Sequence, residues 1–147
     1  METYRVEIDI DRSADDVWAV VGDFANLDWF PGHDRVEVRG NERTSWMQGL
    51  APGNVERLEA RDEATRSFTY ATVGVVGDSK VPLPDGGFFD TASLAGHHRA
   101  TIAVTPTGDT TSHVTYDVSV DDDDAMAARI STGYSHALAS LKSFVER

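Results

Sequence analysis

A carboxylate, an imidazole and several phenols in this 147-residue sequence fall where they could move protons. Glu56 lies in Val55-Glu56-Arg57-Leu58, an alternating segment in which it shares a face with Leu58 and Ala60. If that face is the apolar interior, the carboxylate must be paired, protonated or hydrated, because an isolated buried charge costs too much. Desolvation there suits a general acid or base. The competing reading is a salt bridge to a neighbouring arginine, Arg57 or Arg43, or contact with ordered water. His98 has the parity of Ala100, Ile102 and Val104, and an inward imidazole could shuttle a proton near neutral pH. A backbone carbonyl could equally satisfy it. Tyr70, Tyr116 and Tyr134 could turn phenol hydroxyls toward a ligand carbonyl, or serve as core with the hydroxyl at a rim. Glu56, His98 and Tyr70 are the expected catalytic set.

Those residues need elements to hold them. Tyr4, Val6, Ile8 and Ile10 alternate with Arg5, Glu7, Asp9 and Asp11, the period of a half-buried strand. Ser13-Ala14-Asp15-Asp16 is a helix start, and Ala14, Val17, Trp18 and Val21 then follow helical spacing. Strands are expected over 35–39, 44–50, 54–61 and 67–76, separated by Gly40-Asn41, Pro52-Gly53 and Asp62-Glu63-Ala64-Thr65. Strand parity resumes at His98 and continues from Val114 to Val120. A helix runs from the Asp121–Asp124 acids to the end, with Met126, Ile130, Tyr134, Ala137, Leu138 and Leu141 on one stripe. The result is a single α+β domain over 1–147, in which only the last helix is long enough to cover a sheet of hairpins.

Residues 77–93 interrupt the pattern with Gly, Pro and Asp, and read as a long irregular loop. Phe88 and Phe89 within it either form a lid over a pocket or pack on the outside. Trp18, Trp29 and Trp46 are first of all packing residues, although Trp46 is set on the inner face with Thr44 and Gln48. Lys80 reads as a solvated lysine.

Composition removes several chemistries. There is no cysteine, so disulfides, thiolate nucleophiles and cysteine-ligated metal are excluded. His97 and His98 point to opposite faces and do not make a metal site. Phosphate-loop, Gly-x-Ser-x-Gly and His-Glu-x-x-His motifs are absent, and no metal or cofactor is expected. A formal charge of -12 without a basic stripe argues against nucleic acid and anionic membranes. With no signal-like start and no membrane-length apolar run, the expected location is cytoplasmic.

The order of Ser13-Ala14-Asp15-Asp16-Val17-Trp18, Asp23-Phe24, Leu27-Asp28-Trp29-Phe30-Pro31, Val55-Glu56-Arg57-Leu58 and Arg99-Ala100-Thr101-Ile102-Ala103-Val104 resembles the START-like superfamily. More narrowly it is similar to its polyketide cyclase/dehydrase-like branch. The superfamily also includes the birch-pollen allergen type and the plant abscisic-acid receptors. The resemblance implies a helix-grip fold, a curved seven-stranded antiparallel sheet around the last helix with an internal cavity. In the plant receptors the glutamate of a similar Glu-Arg-Leu segment faces the ligand. The long loop at 77–93 departs from the commonest pattern.

Two functional readings follow. In one, the chain is an enzyme without a cofactor that cyclises or dehydrates an apolar, oxygenated molecule by acid–base chemistry. In the other, it is a carrier or sensor of a polyketide, terpenoid or lipid-like ligand. The expected ligand-lining residues are Trp46, Leu58, Phe68, Phe88, Phe89, Ile102, Tyr116, Met126, Ile130 and Tyr134. The partner is a hydrophobic small molecule, and the chain is a monomer or homodimer.

Overall fold

The computed structural model describes residues 2–121 and 124–147, with side chains described over 3–121 and 128–147. Strand β1 (Glu2–Ile10) opens the chain and α1 (Ala14–Val21) follows. Four strands come next: β2 (His33–Arg39), β3 (Glu42–Met47), β4 (Gly53–Asp62) and β5 (Ser67–Val76). After the short strands β6 (Lys80–Pro82) and β7 (Phe88–Asp90), β8 (His98–Gly108) and β9 (Thr111–Val120) form a hairpin. The helix α2 (Asp124–Val145) closes the chain.

Seven strands form one antiparallel sheet in the order β1-β9-β8-β5-β4-β3-β2. The apolar side chains of β1 sit opposite those of β9, Val6 against Tyr116 and Ile8 against Val114. Such cross-strand pairs fix the register, because a one-residue slip would expose the whole set. In β8 and β9 the alternation is strict: Ala100, Ile102, Val104, Val114, Tyr116, Val118 and Val120 are all buried. Helix α2 lies on this face with Tyr134, Ala137, Leu138 and Leu141 buried. A fully buried Leu or aromatic side chain is worth about 1.5–3 kcal/mol, so this stripe dominates the cohesion of the fold.

Local chemistry sets the element ends. Ser13 Oγ accepts the Asp16 amide proton at 3.1 Å and caps α1, with Asp15 and Asp16 in its positive first turn. Gly40 has φ of 62°, a left-handed conformation that lets β2 turn directly into β3. Register shifts between Val55 and Glu56 and between Leu58 and Ala60 bend β4 against β5.

Three expectations need correction. Residues 77–93 are not wholly irregular: β6 and β7 pair with Val81 opposite Phe89, and a 3₁₀ turn follows over Thr91–Leu94. The motif is too short and too rich in Pro and Gly to announce itself by periodicity. Ala60 is exposed, because the bulge after Leu58 turns the end of β4 out of the interior. Strand β3 also presents the opposite face from that expected, with Arg43 and Ser45 buried and Thr44 and Trp46 turned outward. The acids Asp122 and Asp123 lie outside the described residues, and Met126 lies outside those whose side chains are described. Among the described residues no helix is long and apolar enough to cross a membrane.

Candidate functional site

A pocket of about 210 Å³ lies between the sheet and the N-terminal half of α2. Strands β3, β4, β5 and β8 form its floor with Arg43, Ser45 and Met47, Asn54 and Glu56, Tyr70 and Thr72, and His98. Ile130, Gly133 and Tyr134 of α2 cover it, and Leu27 and Phe30, from the connection between α1 and β2, close it together with His33, the first residue of β2. Leu94, from the 3₁₀ turn, is the contribution of the 77–93 segment. The lining thus combines apolar side chains with an unusual number of convergent polar groups for a small-molecule site.

At the centre is a buried ion pair. Arg43 is 3% exposed, and its Nε donates to Glu56 Oε1 at 2.8 Å. Its Nη1 donates to the Phe24 carbonyl at 2.9 Å, and the guanidinium lies over the rings of Phe24 and Tyr70 at 4.2 and 4.7 Å. Burial is the largest influence and works against the arginine's charge, but Glu56, through charge and hydrogen bond, together with Tyr70 and Tyr116 outweighs it and holds the guanidinium above its ordinary range. Glu56 is 12% exposed, and its Oε2 has no hydrogen-bond partner among the described residues.

Beside the pair runs a chain of hydroxyls and an imidazole. His98 Nδ1 is 2.9 Å from Thr72 Oγ1, and its Nε2 is 3.0 Å from the Tyr134 hydroxyl. The Tyr134 and Tyr70 hydroxyls are 2.8 Å apart, and Tyr70 donates to Tyr116 at 3.4 Å. One consistent donor order runs from Thr72 through His98, Tyr134 and Tyr70 to Tyr116, with each of the three inner groups giving one proton and taking one. Burial pushes His98 below its ordinary range, partly opposed by Glu56, so the imidazole is neutral. Burial likewise raises Tyr70 and Tyr134 well above 10, and Tyr116 to about 12, which keeps all three phenols protonated. The 3.4 Å link is the weakest of the chain and the one a ligand carbonyl can most readily replace.

The structure brings Glu56, His98, Tyr70, Tyr134 and Ile130 together on this pocket. It places other expected ligand contacts elsewhere. Trp46 is on the outer face of the sheet with Thr44, beneath Arg35, whose guanidinium is 3.9 Å from its ring. Leu58, Phe68, Ile102 and Tyr116 pack into the core and do not line the pocket. Phe88 is 68% exposed and Phe89 is half-buried in its hairpin, and neither reaches the pocket wall. Of the two arginines weighed for Glu56, Arg57 turns outward to Glu42 and Arg43 makes the pair. Sequence reasoning did not place His33, Asn54, Ser45 or Gly133 at the site. For Ser45 and Arg43 a signal existed: both share the parity of Met47 in β3.

A family model described as polyketide cyclase / dehydrase and lipid transport matches residues 1–146. Among solved structures, an uncharacterised protein from Bacillus thuringiensis superposes with a TM-score of 0.78 at 21% identity, over 99% of this chain and 100% of that one. A START superfamily protein from Mycobacterium smegmatis gives 0.71 at 14% identity, over 98% and 97% of the two chains. The di-domain aromatase/cyclase BexL of the BE-7585A biosynthetic pathway gives 0.72 at 23% identity, over 99% of this chain and 47% of its own. At such identities the likeness is one of fold. A search of curated protein sequences returns no significant match.

Proposed function

Because the chain belongs to the polyketide cyclase/dehydrase and lipid transport family, with a START-like fold suited to hydrophobic ligands, we propose that it cyclises or dehydrates a compact, oxygenated apolar molecule. The observation that carries the reading is that Glu56 shares one small pocket with the Tyr70–Tyr134–His98 chain. Base and proton donors then stand on the same ligand.

In this mechanism the Tyr70 hydroxyl, itself accepting from Tyr134, donates to a ligand carbonyl oxygen in place of Tyr116, and Glu56 Oε2 takes a proton from the adjacent carbon. Negative charge that builds on the oxygen is met by a donor that the hydrogen-bond chain already holds in place. The enolate either attacks a second carbonyl carbon, whose oxygen takes back the proton from Glu56, or expels a β-hydroxyl that leaves with that proton as water. His98 keeps Tyr134 oriented and can pass a proton to it. Arg43 fixes the carboxylate rotamer.

The test pairs native mass spectrometry with turnover. Whatever ligand co-purifies, or its precursor, is incubated with wild type and with Glu56→Gln. Wild type should convert it, and the variant should hold it unchanged with activity down about 10²–10⁴-fold, the usual contribution of a general base. Full activity in Glu56→Gln removes Glu56 from the mechanism. The carrier reading is favoured by one feature, that Arg43 and Glu56 already satisfy each other and both His98 nitrogens are bonded. A ligand that both proteins retain without conversion would establish it.

A further inference from the structure

One group on the pocket wall has no part in this chemistry and no partner. Asn54 lines the pocket, and its Oδ1 is buried with no hydrogen bond to any described residue. Buried acceptors are satisfied in the great majority of cases, so a donor from outside the protein is called for.

The strand registers say where along the pocket that donor sits. Tyr70 is level with Leu58 across β4, Glu56 is level with Thr72, and Asn54 lies beyond it, opposite Ser45 of β3. Glu56 therefore stands between the tyrosine end and the Asn54 end. Two residues along a strand advance about 6.5–7 Å, close to the span of one substituted ring.

His33 adds a second acceptor to the pocket wall. Its Nδ1 is 3.4 Å from the Phe30 carbonyl, which can only accept, so that nitrogen carries the proton. Burial pushes the ring below its ordinary range, so Nε2 keeps its lone pair, and it has no hydrogen-bond partner among the described residues. The Arg43–Glu56 pair cancels its own charge, which leaves no net charge here for an ammonium or a carboxylate to answer.

We propose that the Asn54 end is a hydrogen-bond-accepting subsite that selects uncharged ligands bearing a hydroxyl remote from the carbonyl held at Tyr70. The proposal deepens the reading of the pocket given above and rests on it. It makes the ligand class a hydroxylated ketone of about one ring, in keeping with a cavity of about 210 Å³, below the roughly 300–1,000 Å³ of drug-sized sites.

Acetophenone and its 3- and 4-hydroxy derivatives, titrated by calorimetry, separate the possibilities. At least one hydroxy compound should bind wild type about tenfold or more tightly than acetophenone, although it is the more soluble in water. In Asn54→Leu that ratio should fall to about threefold or less. Equal affinities in wild type, or a preference that survives Asn54→Leu, overturn the subsite while acetophenone binding leaves the pocket reading standing. If none of the three binds wild type, the pocket reading itself falls and takes the subsite with it. Equal affinities in wild type overturn the subsite even if Asn54→Leu does not fold, and Asn54→Ser, which keeps a small side chain there, then serves for the comparison of ratios.

Discussion

Arg43 is the residue on which the site's electrostatics turn, and its effect can be separated from that of Glu56. Removing the cation strands a carboxylate in a low-dielectric pocket, whereas removing both charges leaves nothing to solvate. Arg43→Met should therefore cost about 3–5 kcal/mol by urea denaturation, and Arg43→Met with Glu56→Leu should recover much of that loss. A double variant no more stable than the single one would show that the stacking on Phe24 and Tyr70, not the ion pair, carries the stability. The buried His98 and the half-buried His33 predict a pH dependence. Both His33 and His98 are pushed by burial below the ordinary 6.5, so the unfolded chain binds protons that the folded chain refuses. Stability is then complete above about pH 6.5 and declines as pH falls below it, at up to about 1.4 kcal/mol per pH unit for each group. Denaturation curves between pH 7.5 and 5.5 should show this decline, and His98→Phe should flatten it. Glu56 was legible at this scale because its parity with Leu58 pointed inward. His33 and Asn54 were not, since neither residue type nor spacing tells which polar side chains a curved sheet will close over.

Among the elements, β3 shows where parity reasoning fails and why. The usual rule assigns the apolar side chain to the interior, which favours Trp46 over Arg43. Here the interior end of the sheet is a polar pocket, so Arg43 and Ser45 face in and Trp46 faces out. Gly53, directly opposite Trp46 across β4, explains the outward indole. A Cβ at Gly53 would meet Trp46 Cε2 and Nε1 at 2.6 Å and Val76 Cγ2 at 2.8 Å, so the ring occupies the space a side chain would take. Gly53→Ala should force that ring off the strand and destabilise the protein by about 1–3 kcal/mol, the range for overpacking. A thermal midpoint unchanged from wild type would show that the indole is free to leave at no cost. Elements with long, clean periods (β1, α1, β8, β9 and α2) were readable because one face of each is continuously apolar. The β6–β7 hairpin was not, because three-residue strands have no period to read.

At the scale of the whole molecule, the pocket exists at the expense of the helix that covers it. Gly133 sits in the middle of α2, where glycine is less favourable than alanine by about 1 kcal/mol, and it lines the pocket. A Cβ built there meets no atom within 4 Å, so close packing is not the reason for the glycine. The remaining physical account is volume: side-chain atoms at this position would extend into a cavity of only about 210 Å³. Gly133→Ala should therefore raise the thermal midpoint by about 3–4 °C, as about 1 kcal/mol does in a chain of this size. Gly133→Leu should keep the helix but fill the pocket with apolar atoms, so that ligand binding, read by calorimetry with the same acetophenones, is lost while the fold persists. The pair of variants discriminates between two causes. If Gly133→Leu still binds ligand as wild type does, the ligand does not occupy the space beneath α2, and the site must be sought elsewhere. If binding is lost and stability rises, the glycine is a case of stability given up for an open cavity, a recurrent trade in proteins that act on small molecules.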